Sequence, residues 1–238
     1  MMGKSHVIAG GLAGLGVGVA AVGLGHPAAL LAVLGAGAGA GLVCDLDEPH
    51  STVARAGGWA TKGVSLLVRR LPGGHRGASH SLLGAIVLFG ALWVVGTKWP
   101  DAIGVAAGLM AALCVRVAAG ALFLGRPTRW LLEIAGGVLV GHLALGAGAL
   151  GVAGAIGAGV LSHVACDSCT DHGASAWWPL RRGRSGGSKL RTGSAGERWL
   201  RWAGLAGLVV ASWAAFGPHA SALGSELAHT VRSSWGHT

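Results

Sequence analysis

Seven stretches of the chain stay apolar long enough to form membrane helices. They are Val7–Gly25, Ala28–Cys44, Ser81–Trp99, Ala102–Leu124, two within Leu131–Cys169, and Trp199–Gly217. The interval Leu131–Cys169 is 39 residues long and carries almost no charge. One crossing takes about 20 residues, so this interval divides, and Gly146–Gly151 is where the break is expected. None of the runs alternates apolar and polar positions as barrel strands do. Backbone polar groups in lipid must be satisfied inside the segment. The pattern therefore predicts an all-α fold, a polytopic membrane helical bundle of about seven transmembrane helices. Residues 1–217 are expected to form one membrane-embedded domain and 218–238 a short C-terminal tail. Lys4 before an apolar run resembles the start of a signal peptide. The run leads straight into a second span, so it is read as a retained helix.

Composition agrees with this reading. The chain has 238 residues, 52% hydrophobic and 11% charged, whereas soluble domains carry about 25% charged residues. A net charge of +9 would suit nucleic acid. Tyr is absent and Phe numbers three, which leaves little surface for stacking bases, so no nucleic-acid partner is expected. The ten Trp residues suit membrane interfaces. Glycines at small-xxx-small spacing, such as Gly10–Gly14 and Gly137–Gly141, let helices approach closely.

Orientation follows from the cations. With seven alternating spans, fifteen of the eighteen Lys and Arg residues fall on the face that holds the N-terminus. The positive-inside rule makes that face cytoplasmic, in a multi-pass protein of the plasma (inner) membrane. The segment "RRGRSGGSKLR", Arg181–Arg191, is either a lipid-headgroup binder or a topology signal alone.

The ionisable residues then collect on the same face. His6 opens the first span, and Asp45 and Asp47 in "CDLDEPH" close the second. His75, Arg76 and His80 open the third, and His163 and Asp167 close the sixth. The last pair reaches that face only if the fifth and sixth spans are two separate helices. Imidazole nitrogen with carboxylate oxygen suits divalent ions such as zinc or manganese. His163 and Asp167 are four apart and share a helix face. Ser79 is a candidate N-cap that would hold His80 at a helix start. Carboxylates near a bilayer are costly unless paired or metal-bound. Each residue alone has an ordinary alternative, as a surface histidine, a loop cap or an interhelical hydrogen bond. Cys166 and Cys169 form a CxxC but are read as small packing residues, with no disulfide on a reducing face.

The segments "KSHVIAGG", "CDLDEPHS", "HRGASHSLLG" and "SHVACDSCTDHGASAWWPL" resemble, in order and spacing, the motifs of the YdjM-type family of inner-membrane metal-dependent hydrolases. The resemblance covers about residues 3–180, and Ser79 stands where the family usually has Thr. That family is similar to the group containing zinc-dependent phospholipase C and the zinc-dependent single-strand nucleases. The resemblance implies hydrolysis of phosphoesters, with metal ligands at His6, Asp45, Asp47, His75, His80, His163 and Asp167. It implies a divalent metal cofactor, zinc first with manganese or magnesium as alternatives, and seven donors suggest two or more ions. Asp47 is the expected bridging carboxylate, and Arg76 is the expected phosphate partner. The expected partners are membrane lipids and a small-molecule or lipid phosphoester substrate. Two other classes compete: a metal-ion transporter, which should hold its ligands near the bilayer midplane, and a non-catalytic adaptor with a closed structural metal site.

Overall fold

The computed structural model of the chain describes residues 3–72, 76–181, 183–186 and 190–235. Within them the helices are α1 (Gly3–Ala21), α2 (Pro27–Ala40), α3 (Trp59–Val68), α4 (Leu82–Lys98), α5 (Pro100–Ala121), α6 (Arg126–Ser168), α7 (Ala195–Phe216) and α8 (Ala220–Trp235). Three of them start where the sequence marks a start, with Pro27, Pro100 and Pro127 in the first turn. Every apolar stretch read from the sequence is helical. Five helical segments are long and apolar enough to cross a bilayer: Gly3–Ala21, Pro27–Asp47, Pro100–Ala121, Arg126–Ser168 and Ala195–His229. The helix α4 is apolar but shorter, at 17 residues.

The expected break between the fifth and sixth spans falls at Gly148, whose φ of 68° and ψ of 170° interrupt α6. Glycine accepts that positive φ without a Cβ clash. Neighbours show that the chain folds back there. Val140 packs on Gly35 of α2, and Gly159 packs on Gly37, only two residues further along the same helix. In an unbroken helix, positions 140 and 159 would lie about 28 Å apart. Residues 126–147 and 149–168 are thus two antiparallel helices, and the second returns His163 and Asp167 to the end of the bundle that holds His6.

Glycine sets how closely the helices pack. Gly10 and Gly14 of α1 face Gly37 of α2, and Gly104 and Gly108 of α5 face Gly141 and Gly137 of α6. Both small-residue pairs singled out in the sequence are therefore helix contacts. The core between them is built of Leu30, Val33, Ala36, Ile103, Val152 and Ile156. On the outside of α1, α7 lies with Gly204 against Ile8. Between α5 and α6, Arg116 Nη2 donates to Glu133 Oε2 at 2.7 Å.

Three local expectations need correction. The second span does not stay α-helical to Cys44: the α-helix stops at Ala40 and a 3₁₀ turn, Val43–Asp47, follows. The N-cap of α4 is Ser81, whose Oγ accepts from Gly84 N at 3.0 Å, and not Ser79. The C-terminal tail continues as the helix α8, and Glu226 on it accepts a hydrogen bond from Ala28 N at the start of α2.

The glycine contacts make a prediction. A Cβ at Gly37 would lie 2.6 Å from Gly14 Cα and 2.7 Å from Gly10 O, while one at Gly16 meets nothing within 4 Å. Gly37→Leu should destabilise the protein by about 1–3 kcal/mol, the usual cost of overpacking. Gly16→Leu should leave the midpoint of thermal unfolding in detergent unchanged.

Candidate metal centre

The cluster assembles from four helix ends. Its members are His6 in the second turn of α1, Asp45 and Asp47 in the 3₁₀ turn after α2, His80 in the short 3₁₀ turn Ala78–His80 before α4, and His163 with Asp167 at the end of α6. His6, Asp47, His80, His163 and Asp167 are each at most 1% exposed. The opening to solvent lies at Asp45 and Arg76, whose side chains are 31% and 19% exposed.

Asp167 is the hub. Its Oδ1 lies 3.4 Å from His6 Nε2. Its Oδ2 lies 3.5 Å from His163 Nε2, 3.7 Å from His80 Nε2 and 3.6 Å from Arg76 Nη2. Asp45 Oδ1 lies 3.7 Å from His163 Nε2. The rings of His6 and His163 stack with centroids 3.7 Å apart and an interplanar angle of 15°. Two groups of three donors converge closely enough to hold an ion: His6, His163 and Asp167, and Asp45, His80 and His163.

Hydrogen bonds set the proton positions on two imidazoles. His163 Nδ1 is 2.6 Å from Gly41 O. A carbonyl only accepts, so Nδ1 carries the hydrogen. His80 Nδ1 faces Asp47 Oδ2 at 3.3 Å and Ser79 Oγ at 3.2 Å. Ser79 Oγ donates its own hydrogen to Asp47 Oδ2 at 2.6 Å, which leaves His80 Nδ1 as the donor. In the neutral rings both Nε2 atoms then present lone pairs, and these face each other at 3.2 Å. Two lone pairs beside a carboxylate repel unless a proton or a metal ion lies between them.

Charge leads to the same conclusion. Among the described residues, with neutral imidazoles, the carboxylates of Asp45, Asp47 and Asp167 gather beside the Arg76 guanidinium, and Asp47 and Asp167 are each at most 1% exposed. Buried carboxylate is costly without compensation, and a divalent ion would supply it. The donor set therefore fits a divalent metal.

The structure separates the two carboxylates of "CDLDEPH". A 3₁₀ helix has about 3 residues per turn, so residues two apart point to different sides. Asp45 faces His163, at the opening. Asp47 lies behind His80, where its Oδ2 accepts from Ser79 Oγ and, at 3.0 Å, from Arg76 N. Arg76 adopts a positive φ of 65° to make that contact, and its Nη1 donates to Gly173 O at 3.0 Å. His75 lies outside the described residues. Beyond α6, Thr170 turns inward and donates to Asp167 O. Asp171 is outside the cluster, and a hydrogen bond from His172 at 2.7 Å holds its carboxyl below the usual carboxylate range.

Of three further contributors, Ser79 was expected as a cap, and the Gly41 carbonyl and Glu197 escaped the sequence reading. Ser79 and the Gly41 carbonyl orient the two histidines. Glu197 is 1% exposed and ties α7 to the site, accepting from Ser5 Oγ at 2.8 Å and from Gly193 N at 2.6 Å. The sequence does signal Glu197: Ser194 and Glu197 form a capping box, with Ser194 Oγ accepting from Glu197 N.

A helical bundle with a buried His/Asp cluster at one end defines a class: a polytopic membrane protein with His/Asp groups that could hold a metal ion. Within that class the chain belongs to the YdjM inner membrane protein family, whose model matches residues 1–223. No curated protein and no solved structure matches it.

The different placement of Asp45 and Asp47 makes a prediction about stability. Asp47→Ala strands Ser79 Oγ and Arg76 N, and a buried donor left unpaired costs about 1–3 kcal/mol. In chelator-treated protein, Asp47→Ala should lower the denaturation free energy by about 3 kcal/mol or more. Asp45→Ala, at the exposed edge, should cost about 1 kcal/mol or less.

Proposed function

We propose that the protein is a membrane-bound, metal-dependent hydrolase of phosphoesters, with its N-terminus and site on the cytoplasmic face. The observation that carries the metal assignment is the convergence of His6, His80, His163 and Asp167, each at most 1% exposed, with the Nε2 atoms of His80 and His163 3.2 Å apart. His6, His80, His163 and Asp167, with Asp45 at the opening, would hold the ion. The mix of nitrogen and carboxylate oxygen suits zinc, with manganese as the alternative. A neutral His163 Nε2 has one lone pair and serves one ion.

When bound, such an ion lowers the pKa of water and polarises a phosphoryl oxygen. The chain's own residues divide the remaining work. Arg76 stands at the opening, fixed through Gly173 O and Asp167, where its guanidinium can pair with phosphate oxygens. Asp45 is the accessible carboxylate, and the oxygen that does not face the ion can accept a proton from a water entering beside Arg76. Asp47 acts through His80: its carboxylate fixes the tautomer and aim of that ring, as carboxylates behind ligating histidines do. The position of the cluster at one end of the bundle argues for this reading over a metal transporter, which needs its ligands near the midplane. The cytoplasmic orientation rests on the excess of Lys and Arg at the site end.

The test is metal analysis of the detergent-purified protein, together with an assay on phosphomonoesters, phosphodiesters and phospholipids. His163→Ala and Asp167→Ala should lose both metal and activity. Arg76→Gln should keep the metal and lose activity on the order of 100-fold, the typical cost of one transition-state donor. Retained metal in both His163→Ala and Asp167→Ala overturns the site assignment. Bound metal with no ester cleaved favours the adaptor, and metal flux across proteoliposomes favours the transporter.

A further inference from the structure

The short helix α3 is built inside out. Its polar residues Thr61 and Ser65 face the protein. Thr61 Oγ1 accepts from Gly57 N and donates to Ala54 O, and Ser65 is fully buried. Its apolar residues face away: Trp59 is 90% exposed, Leu67 63% and Leu66 49%. A helix on a water-facing surface shows the reverse pattern. At 10 residues, α3 is about 15 Å long, half of what a bilayer crossing needs. It is neither a span nor a solvent helix.

Cations accompany the outward apolar face. Residues 48–71 hold Arg55, Lys62, Arg69 and Arg70 against one carboxylate, Glu48, which lies 3.6 Å from Arg69. Aromatic and aliphatic side chains on one face, flanked by basic residues, suit a helix lying in the headgroup layer. The location agrees, because α3 packs on the 3₁₀ turn that carries Asp45 and Asp47, at the bundle end that holds the site.

We infer that α3 is an in-plane anchor that seats Trp59, Leu66 and Leu67 among anionic lipids beside the metal centre. A second copy of this chain is the weaker occupant. A symmetric contact would bring the same Lys62 and Arg70 face to face, whereas anionic headgroups attract them. The anchor braces the turn that presents Asp45 and Asp47, so it fixes the height of the site opening against the headgroup plane. This inference stands apart from the hydrolytic reading and can hold whether or not an ester is cleaved.

The test uses the full chain labelled with 5-fluorotryptophan, in lipid discs of phosphatidylcholine alone or mixed with phosphatidylglycerol. Trp59→Phe identifies the Trp59 fluorine line. A nitroxide on the lipid near the headgroup should broaden that line severalfold more than a soluble gadolinium chelate does. Lys62→Glu with Arg70→Glu should reduce the lipid-induced broadening at least twofold in the phosphatidylglycerol discs and leave it unchanged in phosphatidylcholine. Unshifted lines from the other tryptophans report that the variant is folded. Broadening mainly by the chelate places Trp59 in water and overturns the inference. A line untouched by both agents places it under protein and also overturns it, with dependence on the protein-to-disc ratio identifying a second copy.

Discussion

Buried carboxylate is the constraint on which this structure depends. Asp167 lies at the end of an apolar bundle with almost no access to water, and Asp47 lies behind it with none. Each buried ion costs several kcal/mol unless its charge is met. The surrounding structure is arranged to meet it: three imidazoles arrive on α1, the turn before α4 and α6, and Arg76 reaches across from the same turn region. Arg76 accepts left-handed backbone to do so, a conformation that costs a non-glycine residue about 1 kcal/mol or more. Its main-chain N–H then serves Asp47 while its guanidinium serves Asp167 and Gly173. One strained residue thus satisfies both ends of the site.

Glycine belongs to the same arrangement. Rings stacked at 3.7 Å, as in His6 and His163, need α1 and the returning half of α6 held close to a shared neighbour. That neighbour is α2, which meets Gly10 and Gly14 on one side and Gly159 on the other through Gly37. Larger residues at these points would spread the helices before the imidazoles could meet. The reversal at Gly148 does the rest, since a continuous α6 would carry His163 and Asp167 away from the other donors.

Much of this was legible in the sequence, because hydropathy reports on lipid contact directly. All seven apolar stretches are helices, and the division of Leu131–Cys169 was readable because 39 residues with almost no charge exceed one crossing. Convergence of His6, Asp45, Asp47, His80, His163 and Asp167 followed from alternating spans and needed no side-chain geometry. The finer partition was not legible. The separation of Asp45 from Asp47 depends on a 3₁₀ turn, and the local sequence does not distinguish that turn from an unwound helix end. Ser79 and Ser81 compete for the cap of α4, and the choice is decided by Asp47, distant in sequence, which takes the Ser79 hydroxyl. The inward face of α3 was hidden for a related reason: its Thr61 and Ser65 are inward only because the neighbouring loop offers Thr61 partners at Ala54 and Gly57.

The separation of the two aspartates also explains the shape of the opening. The inner carboxylate is enclosed by Ser79, Arg76 N and His80, so its donors are all supplied by protein and it has no need of water. The outer carboxylate, Asp45, keeps partial access to water and faces His163 from the rim. Among the described residues, the exposed edge of the site lies at Asp45 and Arg76, which carry opposite charges. A neutral or cationic molecule gains little from Arg76 there, while an anion meets the guanidinium first and the histidine nitrogens behind it. The same turn that sorts the aspartates rests on α3, so the edge at Asp45 and Arg76 is held by the element whose apolar face turns away from the protein.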